Sequence, residues 1–143
     1  MGTMTQTGLE ALVDGTLDFA SGTDFRVALT TSAYTPDPDH DDMADITNEL
    51  SGGAYARVAS ANEAIVVDDA NNQIECDGDD VTFASLEAGA GTPAYAVFHE
   101  YGSGTDANAL IISVNTLTSP PVPNGGDYVI QPSAEGWFKI TCA

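Results

Sequence analysis

Basic side chains are nearly missing from this sequence. Arg26, Arg57 and Lys139 stand alone against 22 aspartates and glutamates, giving a formal net charge of −19. That balance argues against direct binding to nucleic acid, where affinity comes chiefly from Lys and Arg neutralising phosphates. Long apolar runs are missing as well. Hydrophobic residues make up 43% of the chain, but they are scattered in stretches far shorter than the ~18 needed for a membrane-crossing helix. The N-terminal stretch MGTMTQTGLEALVDG has neither the basic start nor the apolar segment of a secretory signal. The expectation is therefore a protein that is made in the cytoplasm and either stays there or reaches its destination by assembly. Cysteine is scarce: Cys76 and Cys142 cannot build a disulfide framework, and neither has a partner at zinc spacing. Both are expected as buried free thiols. Histidine is limited to His40 and His99.

What the chain has in excess is acid. At low ionic strength this charge favours expansion, whereas in about 1 M salt the Debye length falls to about 3 Å and most of the repulsion is screened. Disorder is the usual alternative for acidic chains, but five Phe, five Tyr, one Trp and many Val and Ile oppose it. The composition reads as a folded protein written for concentrated salt. With 143 residues, one domain spanning 1–143 is expected, with residues 1–6 as a loose arm.

Local patterns predict two short helices followed by strands. Thr7 and Glu10 have capping-box spacing, Leu9, Leu12 and Val13 share a helical face, and Gly15 follows. TDFRVALT alternates Phe25, Val27 and Leu29 with Arg26, Ala28 and Thr30, the period of a half-buried strand. Met43, Ile46 and Leu50 then repeat at helical spacing before Gly52 and Gly53, predicting a second, amphipathic helix with Asp41 and Asp42 at its start. From residue 54 the segments AYARVAS, EAIVVD, NQIEC, DVTFAS, AYAVFHEY, ALIISVN, DYVIQP and GWFKITC read as strands separated by turn residues. Nine strands without long crossover helices predict an all-β fold, a single antiparallel sandwich or barrel with two short helices near the N-terminus.

The segment TPDPDHDDMADITNEL places six carboxylates in sixteen positions. Asp37, Asp39 and Asp41 meet the first ligand positions of an EF-hand calcium loop, and are the candidate metal residues. The rest of the template fails: Asp42 stands where glycine is needed, and Asn48 where a bidentate Glu belongs. DANNQIECDGDDV reads as two β-turns around Asn71–Asn72 and Gly78. His99 alternates with Tyr95, Val97 and Tyr101 along a strand, the setting of a hydrogen-bonded structural histidine. GSGTD lacks the nucleophile-elbow pattern, and neither it nor GAGTP carries a Walker lysine. No catalytic residue, cofactor or nucleotide site is therefore assigned. Trp137 lies on the opposite face of its strand from Phe138. If Phe138 points inward, Trp137 is exposed beside a rare lysine as an interface anchor; otherwise both faces are buried. Pro120, Pro121 and Pro123, in the loop SPPVPNGG, are the other candidate interface residues.

Taken in order, Asp24 to Thr30, Tyr34 to Pro36, Met43 to Leu50, Gly53 to Tyr55, Asp79 to Phe83, Tyr101, Asn108 to Ile111 and Gly136 to Ile140 form a pattern. It resembles a family of small virion structural proteins of tailed bacteriophages, from about residue 9 to the end. The resemblance implies a capsid- or tail-associated particle component with no catalytic residues to carry over. The aspartate surplus departs from the family pattern and points to a virus of a salt-loving host, a haloarchaeon. The resulting expectation is a capsid decoration or cement protein that binds the major capsid protein and self-associates, as trimers. A tail or head-to-tail connector component is the alternative in the same particle. A carbohydrate- or calcium-dependent surface-binding β-sandwich is the alternative from another class.

Overall fold

The computed structural model describes residues 2–20 and 24–142. Met1 of the anticipated arm, Thr23 at the head of the first anticipated strand and the terminal Ala143 lie outside them. The described chain is mostly β, with ten strands in three antiparallel sheets, one α-helix and four short 3-10 turns. The strands are β1 (Gly2–Met4), β2 (Phe25–Thr30), β3 (Val58–Ala59), β4 (Ala64–Asp68), β5 (Gln73–Asp77), β6 (Val81–Phe83), β7 (Tyr95–Glu100), β8 (Ile111–Thr116), β9 (Tyr128–Ile130) and β10 (Phe138–Thr141). One sheet runs β1-β8-β7-β2-β3, a second β10-β5-β4, and β6 pairs with β9. The strands close no barrel.

All nine anticipated strands form, and the tenth is a correction. Residues 2–4 are not a loose arm but an edge strand on β8, with Thr3 opposite Val114. The following helix α1 (Gln6–Val13) starts two residues earlier than the Thr7–Glu10 spacing suggests. Its cap is Thr5, whose hydroxyl accepts from Gly8 N at 3.0 Å and donates to the Ile111 carbonyl. The Thr7 hydroxyl instead donates to Asp41. Gly8 is what allows α1 to lie on β8: a Cβ there would sit 2.6 Å from the Ile111 carbonyl oxygen.

The second anticipated helix is absent. Met43–Asp45 makes a single 3-10 turn, closed by an Asp42–Asp45 capping box. Beyond it Ile46 is extended, Asn48 has φ 57°, and Leu50 N bonds Leu29 O at 2.8 Å. The segment thus joins the end of β2 instead of coiling. Met43 and Leu50 are both buried, but in separate apolar clusters. Helical spacing had placed them on one face; pairing with β2 sends them to two.

The larger cluster is aromatic. Phe25 and Trp137 both stack on Phe98 at 5.1 and 5.3 Å between ring centroids, and Phe19 meets Phe138 edge-on at 5.4 Å. Each such ring contributes roughly 1.5–3 kcal/mol by leaving water. Trp137 retains 2% of its exposure and Phe138 none, so the exposed-anchor alternative for Trp137 is overturned and both faces are buried there. The cause is Gly136, at φ 82°, where any Cβ would overlap the Cys76 carbonyl. The chain turns at that residue before β10 begins, and strand alternation does not yet apply to Trp137. Cys76 is buried as anticipated, and its burial pushes its thiol up to about 11. Cys142 is exposed, because it lies past the end of β10; both thiols are free.

Candidate functional site

Among the described residues, three of the places that gather polar or concave chemistry bear on the anticipated sites. The acidic segment 35–50 is the first, and its carboxylates are engaged with the chain itself. Asp37 accepts from Asp39 N at 3.0 Å, Asp39 accepts from Gln6 Nε2 at 2.9 Å, and Asp41 accepts from the Thr7 hydroxyl. Asp45 reaches back to Asp41 N at 3.0 Å. The aspartates therefore build turns and fasten the loop to α1. Among the described residues no three His, Cys, Asp or Glu side chains converge as a metal cluster. Asp37, Asp39 and Asp41, the candidate ligands, are not brought together into one. His40 instead pairs its Nδ1 with the Tyr34 hydroxyl at 2.9 Å.

The second place is a charged clamp that local patterns could not reveal. The Arg57 guanidinium donates Nε to Glu49 Oε1 at 2.8 Å and Nη2 to Glu49 Oε2 at 2.7 Å. Its Nη1 reaches Asp106 Oδ1 at 2.6 Å. The Tyr55 hydroxyl donates to the same Glu49 carboxylate at 2.9 Å and accepts from Leu29 N. Arg57 thereby ties the end of β2 to the 3-10 turn Asp106–Asn108 through a two-sided fork, a geometry lysine cannot reproduce. Hydrogen bonding to Arg57 holds the Asp106 carboxyl below the usual range. The carboxylates in turn raise Arg57, and burial raises Tyr55. His99 titrates within the influence of this clamp and is 1% exposed. Its Nδ1–H donates to the Glu100 carbonyl, while Nε2 is buried without a partner among the described residues. Burial foremost lowers its pKa to about 4, so the ring is neutral near pH 7. This chemistry fastens a loop over a sheet. The one clue in the sequence was scarcity: all three basic residues form ion pairs within the chain, Arg26 with Asp24, Arg57 with Glu49 and Asp106, and Lys139 with Glu135.

The third place is a cleft of about 320 Å³ between the end of β8, β9 and the proline loop. Pro120, Pro121 and Trp137 line it together with Tyr128, Asn115 and Gln131. Three of the four anticipated interface residues, two from the proline loop and one from the start of the last strand segment, thus share one concavity. They do so in different roles: Pro121 is exposed at its margin, Pro120 is half-buried, and Trp137 contributes from inside. Pro123 is buried within the chain and does not line the cleft, which removes it as an interface residue. Asn115 is nearly buried and donates Nδ2 to the Ser113 hydroxyl at 3.2 Å, and β1 begins opposite it. The cleft therefore joins apolar rings to a few fixed polar groups, the general make-up of a binding surface.

No family model matches the chain, and no curated protein or solved structure is significantly similar to it.

Proposed function

We propose that this chain is a non-enzymatic structural component of a virus particle: a decoration or cement protein that binds the major capsid protein and stabilises the shell in concentrated salt. The observation that carries the reading is the ordered series of motifs from Asp24 to Ile140, joined to a net charge of −19. In this reading the five-stranded and three-stranded sheets are the two layers of one sandwich, packed through Phe98 of β7 against Trp137 and Phe138. The cleft at Pro120, Pro121 and Tyr128 faces a neighbouring protein. Burying a modest apolar area there holds one copy weakly, and many copies on one shell hold it together through multivalency. Trimeric self-association would add to that effect, and the carboxylates would face brine.

Quantitative mass spectrometry of purified particles tests this. Hundreds of copies per virion support a decoration protein, about six to twelve would indicate a connector ring, and absence from particles refutes the proposal. A second reading, a saccharide-binding module, is favoured by the cleft itself, where Tyr128 stands among Asn115 and Gln131. Calorimetry against a panel of glycans at high salt would bring it forward if a saccharide bound and a Gln131→Ala variant did not bind it.

A further inference from the structure

The edge strand β4 carries exposed apolar side chains on both of its faces. Ile65, Val66 and Val67 retain 51%, 46% and 67% of their exposure. The two edges of the five-stranded sheet are only three and two residues long, as β1 and β3, the usual protection against edge pairing. β4 has five residues, no proline, and a row of backbone groups facing away from β5.

The register assigns the two faces different chemistry. Ile65 pairs with Cys76 and Val67 with Ile74, which continue to Phe138 and Ile140 on β10, so this face is apolar throughout. On the other face Ala64 pairs with Asp77, Val66 with Glu75 and Asp68 with Gln73. The only cation there, Lys139, already donates to Glu135 at 2.7 Å. An added strand would therefore meet an apolar surface with every second residue, while the residues between would lie beside Ala64, Val66 and Asp68, with Glu75 and Asp77 one strand further in, within reach of long basic side chains.

We propose that the free edge of β4 binds an extended segment of another protein that alternates apolar with basic side chains. Its apolar residues extend the Ile65–Val67 face, and its Lys or Arg residues lie beside Asp68 and reach across Val66 and Ala64 to Glu75 and Asp77. A second copy of this chain is the poorer occupant. Its three basic residues are all ion-paired internally, so it brings no free cation to Asp68, Glu75 or Asp77, and two copies of formal charge −19 repel. The preference survives in brine, because the Debye length of about 3 Å at 1 M salt still spans a contact ion pair. The inference concerns a surface separate from the proline cleft and stands independently of the particle reading.

The test uses the ¹⁵N-labelled full chain in about 1 M KCl, a salt level at which long-range charge effects are screened. The probes are two capped nonapeptides, Thr-Val-Lys-Val-Lys-Val-Lys-Val-Thr and its counterpart with Glu for each Lys. The lysine peptide is expected to shift the amide resonances of residues 64–68 and to slow their hydrogen exchange at least tenfold; the glutamate peptide is expected to do neither. Val67→Lys should abolish the response with an unchanged circular dichroism spectrum. The double variant Ile65→Thr, Val67→Thr keeps β-propensity and should weaken binding at least tenfold. An equal response to both peptides, shifts confined to the proline cleft, or no response at millimolar peptide would overturn the proposal. So would protection of residues 64–68 that rises with protein concentration alone, which would assign the edge to a second copy.

Discussion

Acidification should destabilise the fold through one side chain, His99. In the folded protein it stays neutral down to about pH 4, chiefly because it is buried, whereas in the unfolded chain it takes a proton near pH 6.5. The stability that its neutral form contributes is fully present above pH 6.5 and is lost progressively as the pH falls towards 4. At about 1.4 kcal/mol per pH unit, the loss across that window is about 3 kcal/mol, a large share of a typical domain's stability. Urea unfolding followed by the fluorescence of Trp137, the only tryptophan, measures this. It is best run in about 1 M KCl, so that screening removes most of the carboxylates' mutual repulsion. His99→Asn is the control: its side-chain amide can donate to the Glu100 carbonyl as Nδ1–H does but takes no proton, so the pH slope between 6.5 and 4.5 should flatten. Equal slopes for the two proteins, or a His99 titration near pH 6.5 in the native state by NMR, would refute the reasoning.

Lowering KCl from several molar to about 0.1 M should unfold or dissociate the protein by circular dichroism and sedimentation, since the Debye length grows to about 10 Å; unchanged structure would remove the brine explanation of the charge. Arg57→Ala should cost about 2–4 kcal/mol in denaturant unfolding, because Glu49 is left partly buried without its partner, and Arg57→Lys should recover less than half of that loss. Trp137→Ala should cost about 3–5 kcal/mol, as for a core ring, where an exposed anchor would cost almost nothing. Gly136→Ala should destabilise by more than about 1 kcal/mol, from the left-handed backbone and the Cys76 carbonyl together, and should shift the near-ultraviolet signal of Trp137.

The β-rich character and the positions of nine strands were legible in the sequence, because side-chain alternation and turn residues are local signals. So was the burial of Cys76. The stretch from Met43 to Leu50 shows where local reading stops: its helical spacing is real, but backbone pairing with β2 outweighs what one short turn could gain. The arm at residues 2–4 and the cap at Thr5 escaped for the same reason, since each is defined by β8, more than a hundred residues away. Gly136 likewise turns Trp137 inward through a carbonyl sixty residues upstream.

Charge balance, class of fold and the shortage of cations followed from composition and period alone, properties that each residue carries with it. Which carboxylates close turns, which pair with Arg57, and which face of β4 continues the apolar side chains of β5 and β10 were decided only in three dimensions. Those outcomes depend on strand register and on contacts between distant segments, and a linear pattern carries neither.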